Sequence, residues 1–296
     1  MTNQEKTSIS GKSPVSWRPR LPDYLKRPIP SGPAFARIQG ELDRTRFPTV
    51  CREAECPNRT DCWSRGTLSF QILGSVCTRR CAFCAETSGR PGAVDVGEPG
   101  KLVEAVRVLR LSHVVVTSPA RDDLADQGAG QFSSVVRALH AEVPGVTVEV
   151  LTPDFQGRSD LLKIIFDARP DVFNHNVETV RRLSPQVRAL ATYDRSLSVL
   201  KAAAESGLAV KSGLMVGLGE KREELLETFH DLQRVGVRAL TVGQYLPPGP
   251  RFFPVDRFYS LEEFRDIKAE AGKLFEKVMV GPLVRSSYHA DELVKL

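Results

Sequence analysis

Six apolar runs of strand length recur along this chain, at residues 68–74, 113–118, 146–151, 172–176, 209–216 and 239–246. Stretches with helical periodicity lie between them. In Glu223 to Val235, for example, Leu225, Leu226, Phe229, Leu232 and Val235 fall on one helical face. Short continuous apolar strands alternating with amphipathic helices imply parallel strands joined by right-handed crossovers. Six such units are too few to close an eightfold barrel. The pattern therefore predicts an α/β fold, a partial TIM-like (β/α)6 barrel with a lateral opening; a doubly wound open sheet is the alternative. In barrels of this type chemistry sits at the carboxyl ends of the strands.

The rest of the chain divides around that core. Residues 1–32 mix Pro, Ser, Lys and Arg and read as an irregular N-terminal arm. A helix is expected from Pro33 to about Thr45, because proline suits a first helical turn. Residues 33–66 hold a cysteine-bearing segment, 67–276 the barrel and 277–296 a C-terminal tail. No run of about 18 apolar residues occurs and the first 30 residues lack an apolar signal core, so a cytoplasmic protein without a membrane span is expected. The net charge of +5 is spread along the chain. That speaks against nucleic acid, which calls for a clustered basic stripe, and suits an acidic protein partner.

All six cysteines fall into two groups of three. Cys77, Cys81 and Cys84 stand in Cys-Thr-Arg-Arg-Cys-Ala-Phe-Cys, directly after the first apolar run. Three thiolates on a four-iron cubane leave one iron open to a small molecule. Zinc sites usually draw four ligands in two pairs, and no second pair lies nearby. The C-x3-C-x2-C spacing before a strand–helix alternation resembles the radical S-adenosylmethionine enzymes, where the open iron chelates the methionine part of the cofactor. Cys51, Cys56 and Cys62 form a second triplet of different spacing. A reducing cytosol makes metal binding a better use of grouped cysteines than disulfides, so two clusters are expected, each short of one ligand.

The strand ends supply the remaining site candidates. Under the superfamily resemblance, Phe83 packs near the adenine and Thr117 and Ser118 bind the methionine amino group. Asn176 and Glu178, ending the fourth strand, suit the ribose hydroxyls, and Arg195 offers a bidentate fork to the methionine carboxylate. Simple core packing, a self-bonded turn and a surface salt bridge are the plain readings of Phe83, Thr117–Ser118 and Arg195 respectively. The glycines in Lys211-Ser-Gly-Leu-Met-Val-Gly-Leu-Gly-Glu220 let backbone approach a flat ring. A phosphate loop is rejected there, because no Lys-Ser or Lys-Thr opens a helix after them. In the tail, Val284-Arg-Ser-Ser-Tyr288 reads first as a helix cap, yet a serine oxygen there is also free to complete the second cluster.

Taken together these motifs resemble the lipoyl synthase family. The resemblance rests on Cys51-x4-Cys56-Pro-Asn-x3-Cys62, Cys77-Thr-Arg-Arg-Cys81-x-Phe-Cys84, Arg121-Asp-Asp-Leu124, Thr152-Pro-Asp-Phe155 and Asn174-His-Asn-Val-Glu178. Arg195-Ser-Leu197, Lys211 to Glu220, Gly243-Gln-Tyr-Leu246 and Arg285-Ser-Ser-Tyr288 complete it, over residues 35–292. It implies S-adenosylmethionine and two 4Fe-4S clusters as cofactors. It also implies sulfur insertion at C6 and C8 of an octanoyl group on a carrier lysine. The cluster on Cys51, Cys56 and Cys62, with Ser287 ahead of Ser286 as its extra ligand, is then the sulfur source. Implied partners are an octanoylated lipoyl domain (a 2-oxoacid dehydrogenase E2 or the glycine cleavage H protein) and a flavodoxin or ferredoxin. A biotin synthase kind of enzyme would need neither the first triplet nor the serine tail; a zinc scaffold without activity is the other rival. The chain departs from the family pattern at Pro119, Ala120, Gln127, Gly249, Arg181 and Ser184, which puts carrier preference in question more than radical chemistry.

Overall fold

A computed structural model describes residues 21–26, 31–45, 47–53, 56, 58–65 and 67–293. Most of the expected N-terminal arm lies outside these residues. The core is one curled parallel sheet of seven strands in sequential order: β1 (Thr67–Gln71), β2 (His113–Thr117), β3 (Thr147–Leu151), β4 (Val172–Asn174), β5 (Ala209–Val216), β6 (Ala239–Gln244) and β7 (Lys277–Gly281). Each strand pairs in parallel with its sequence neighbours, and β1 and β7 form the two margins. This is the expected partial barrel with one strand more. The seventh lies in the stretch read as tail; its apolar core is only Val278-Met-Val280, and its side chains are half-buried.

Helices form where the pattern asked for them. Pro33–Thr45 is helical as expected, and the amphipathic stretch after β5 is the helix Arg222–Arg234. A reciprocal cap starts the helix Leu261–Ala271: Ser260 Oγ accepts from the Glu263 N–H, and the Glu263 carboxylate accepts from the Ser260 N–H. That helix packs on β7 and brings the chain back parallel to β6.

The two faces of the sheet differ in chemistry. Outward residues, among them Leu68, Phe70, Val114, Val116, Val148, Val150, Phe173, Val210, Leu240 and Val242, join the helices in one continuous apolar core. Burying each large aliphatic or aromatic side chain contributes about 1.5–3 kcal/mol, so this face drives folding. The alternate, inward row is polar: Ser69, Gln71, His113, Glu149, Asn174, Lys211 and Thr241 are all buried. Lys211 Nζ lies 3.0 Å from both Glu149 oxygens, and Asn174 Nδ2 donates to Glu149 Oε1 at 2.7 Å. Removing one partner of such a fully buried pair costs about 3–5 kcal/mol, so the contact fixes β3, β4 and β5 in register.

Candidate functional site

The Cys77–Cys84 loop leaves the carboxyl end of β1 and is braced from every side. Arg121 is buried; its guanidinium donates to the carbonyls of Leu73 and Gly92, at the two ends of the loop, at 2.9 and 2.8 Å. Arg79 is buried between two carboxylates, 2.7–2.8 Å from Asp122 and 2.7 Å from Asp154. Thr78 Oγ1 bonds Asp122 and the Ala120 carbonyl. Ala82 donates to the Val187 carbonyl and accepts from the Phe253 N–H. The run Arg121-Asp-Asp therefore shapes the cysteine loop.

Each sulfur of this triplet accepts a backbone N–H at 3.4 Å: Cys77 from Arg79, Cys84 from Glu86 and Cys81 from Ala189. Three half-buried free thiols held this way suit cluster ligation, since hydrogen bonds to sulfur stabilise thiolate charge and tune the cluster. Burial pushes the Cys84 thiol up to about 12 and raises Cys81, so metal must displace protons here. Among the described residues no three His, Cys, Asp or Glu groups converge as ligands of a single metal ion. A cubane differs, because each thiolate takes a separate iron.

The polar residues at the strand ends face the same mouth. Nine buried side-chain polar atoms lack a hydrogen-bond partner among the described residues. Five of them, on Ser118, Thr152, Asn176, Thr179 and Ser184, follow the ends of β2, β3 and β4. Each unpaired group costs about 1–3 kcal/mol, which argues for a polar ligand there. Ser118 Oγ bonds nothing, so the self-bonded turn does not hold for it; Thr117 beside it is half-buried. Gly213 makes room for Asn176: a β-carbon on it would lie 2.8 Å from Asn176 Oδ1. Glu178 takes a left-handed backbone (φ 66°) locked to β5 by bonds to Gly213 and Met215, and burial raises its carboxyl pKa. Phe83 packs with Val180, Leu183, Val187, Leu218 and Tyr245, which combines the core-packing reading with a place at the mouth. The 217–220 turn donates its Gly217 and Leu218 N–H groups to Glu220, leaving them unavailable to a phosphate.

Arg195, expected to hold a carboxylate ligand, pairs through Nη1 with Asp154 at 3.2 Å and the Leu190 carbonyl at 2.8 Å. Arg188, which the sequence did not single out, lies beside the same groups. It is buried, and beyond Asp154 and Arg79 its charge is felt by Glu178 and Cys81. Among the described residues only its Nη1 is engaged, with Ser196 Oγ at 2.7 Å and the Val177 carbonyl at 3.3 Å. Ser196 Oγ lies 2.9 Å from His175 Nε2, and His175 Nδ1 donates to the Thr152 carbonyl at 2.8 Å. Nothing in Gln186-Val-Arg188 distinguishes this arginine in sequence; only its burial does.

The second triplet meets the C-terminal tail. Cys51, Cys56 and Cys62 line one pocket with Asn58, Arg59, Thr67, Ser69, Arg285, Ser287 and Tyr288. Ser286 is not in that lining. Thr67 and Ser69 belong to the inward row of β1, so the pocket opens on the barrel interior. The tail is clasped to the cysteine segment by Asn58 Nδ2 on the Leu283 carbonyl (2.6 Å), Tyr288 and His289 on Asp61 (2.7 and 2.9 Å) and Arg65 on Glu292 (2.7 Å). Burial and the neighbouring thiols push Cys62 up to about 12.

The departures from the family pattern lie in turns, in an ion pair and, at Ser184, in the buried polar set at the mouth. Gln127 takes a left-handed backbone (φ 50°), strain that glycine would avoid. Ala120 contributes its carbonyl to Thr78, and Arg181 pairs with Asp194 and Asp231.

Two family models match the chain: the radical SAM superfamily over residues 72–232 and the N-terminal domain of lipoyl synthase over residues 2–56. The lipoyl synthase of Rubrobacter xylanophilus is 50% identical over 274 residues, covering 92% of this chain and 85% of that protein. The lipoyl synthase of Treponema denticola is 46% identical, over 93% of this chain and 95% of that one. Among solved structures, Streptococcus suis SuiB bound to its precursor peptide superposes with a TM-score of 0.58 at 10% identity, covering 83% of this chain and 52% of that chain. That likeness is one of fold.

Proposed function

The chain belongs to the lipoyl synthases of the radical S-adenosylmethionine superfamily, and from that membership we propose how its residues divide the reaction. It is a sulfur-inserting enzyme that uses S-adenosylmethionine and 4Fe-4S clusters and acts on a carrier-borne octanoyl group. A diverged radical SAM sulfur-inserting paralogue with a different acyl carrier, and the zinc scaffold without activity, are not favoured by relatives that match over nine-tenths of the chain.

Cys77, Cys81 and Cys84 hold the cluster that binds S-adenosylmethionine; Cys51, Cys56, Cys62 and Ser287 hold the other. When bound, the two clusters supply the electron that cleaves the sulfonium and the sulfur that enters the product. Arg188 presents its free donors to the methionine carboxylate, held in place through Ser196 and His175. Arg195 then serves to brace Asp154, and through it Arg79 and the cysteine loop. Ser118, with Thr117, takes the methionine amino group; Asn176 and Glu178 take the ribose, and Phe83 lies against the adenine. Arg285 and Tyr288 line the auxiliary pocket beside Ser287 and would limit the water admitted there.

The observation that carries this reading is the shared pocket of three cysteines from one end of the chain and Ser287 from the other. An oxygen ligand binds soft iron more weakly than a thiolate, which suits a cluster that gives up sulfur. Ser287→Ala is expected to keep S-adenosylmethionine cleavage while lipoyl formation stalls, with Ser286→Ala milder. Equal lipoyl yield from Ser287→Ala and wild type would remove Ser287 from the ligand set. For the finer partners we propose an E2 lipoyl domain or an H protein as carrier and a flavodoxin or ferredoxin as electron donor. A reducing cytosol is the compartment that suits six free cysteines. Among the described residues no helix is long and apolar enough to cross a membrane.

A further inference from the structure

Many exposed arginines of this chain are paired with carboxylates, for example Arg44 with Glu41, Arg158 with Asp160, Arg182 with Glu224 and Arg238 with Glu276. Arg37, Arg110 and Arg265 are exposed without such a partner among the described residues, and three more unpaired arginines gather beside the cysteine loop. Arg80, Arg90 and Arg251 are exposed and make no ion pair or hydrogen bond among the described residues. Arg80 stands inside the loop, between Cys77 and Cys81. Arg90 follows Gly89, whose N–H donates to the Cys77 carbonyl at 2.9 Å. Arg251 lies two residues before Phe253, whose N–H donates to the Ala82 carbonyl at 2.7 Å, and its guanidinium rests 5.2 Å from the Phe252 ring centre.

The nearby carboxylates do not cancel these charges. Asp122 and Asp123 are ion-paired with Arg79 and Arg121; Glu86 is bonded by the neutral Gln71 amide and is a single carboxylate against three arginines. Arg79 and Arg80 thus divide two tasks between adjacent residues, one buried against two acids and the other free in solvent.

We propose that Arg80, Arg90 and Arg251 form a cationic rim at the mouth of the barrel that docks an acidic face of the acylated carrier. The inference rests on the reading that the octanoyl chain arrives on a protein. An acyl-lysine arm can enter the mouth, but the folded body carrying it must stay outside, against this rim. Uncompensated charges there steer encounter and fix orientation more than they add to affinity, and salt screens them.

The test uses anaerobically reconstituted full-length enzyme with two substrates, an octanoylated acidic lipoyl domain and an octanoyl-lysine tripeptide. In the double variant Arg90→Glu with Arg251→Glu, both outside the cysteine triplet, KM for the domain should rise about tenfold at low salt. Its salt dependence should flatten, while kcat and KM for the tripeptide stay at wild-type values. The tripeptide also serves as the control that the variant folds and keeps its clusters. An unchanged KM for the domain in the variant, with both substrates converted by wild type, overturns the rim alone. A wild type that cleaves S-adenosylmethionine but converts neither substrate overturns the underlying reading, and the rim with it.

Discussion

Gly243 lies so close beneath Val284 that a β-carbon on it would sit 2.0 Å from the Val284 carbonyl oxygen. Gly243 is on the inward row of β6, and Val284 starts the tail segment that carries Arg285 and Ser287. Arg285 Nη1 also donates to the Val284 carbonyl and to that of Gln244, the residue after Gly243. The tail therefore reaches the auxiliary cysteines across a gap that one absent side chain leaves open.

Gly243→Ala should push the tail outward, because the clash is with backbone and no rotamer relieves it. The expected result is loss of the cluster on Cys51, Cys56 and Cys62, with iron falling from about eight to about four per chain. Formation of 5′-deoxyadenosine should persist. Iron analysis and product chromatography read both; full iron content with normal lipoyl formation would show that the tail adapts.

Arg188 and Arg195 can be separated as candidates for the methionine carboxylate. Arg188→Lys keeps a charge but loses the planar fork, and should raise KM for S-adenosylmethionine by about tenfold or more. Arg195→Lys preserves a cation near Asp154 and should change it little. The reverse order of effects would restore Arg195 to the role its sequence position suggested.

His175 sets a pH dependence on folding. Burial, with Arg188 nearby, lowers its pKa to about 4 in the fold, against about 6.5 unfolded. The unfolded chain takes up a proton below about 6.5 that the folded chain refuses until about 4. Stability from this group is thus complete above about pH 6.5 and lost as pH falls toward 4. Between pH 7 and 5 the loss is about 2 kcal/mol. Urea unfolding of wild type and His175→Asn at both pH values isolates it. Parallel pH slopes would show that the histidine contributes nothing.

Much of this was legible in the sequence, for physical reasons. Outward strand residues and the helices that cover them carry the apolar periodicity, so six strands stood out from Leu68 to Leu246. The seventh strand did not, because a half-buried margin needs only three apolar residues. Both cysteine triplets stood out because ligand types at short spacings are local features; Ser287, far from them in sequence, was named only through the family resemblance, and its place beside Cys51, Cys56 and Cys62 comes from the fold. Arg188 was not, since its role comes from burial against Ser196 and Glu178, which lie 8 and 10 residues away in sequence. The inward Glu149–Lys211 pair was hidden for the same reason, inside runs that read as apolar.

The two clusters should separate by role when one cysteine of each triplet is removed. Cys81 lies on the β1 loop, its sulfur held by Ala189 next to Arg188, among the proposed cofactor residues. Cys56 lines the pocket shared with Ser287, on the inward face of β1. Cys81→Ala should abolish 5′-deoxyadenosine altogether. Cys56→Ala should still form it, slowly and uncoupled, and yield no sulfur-containing product. If the auxiliary cluster is the sulfur source, wild type without a repair system should stop near one lipoyl group per chain. Many turnovers with that cluster intact would require an external sulfur donor and would overturn the sacrificial role.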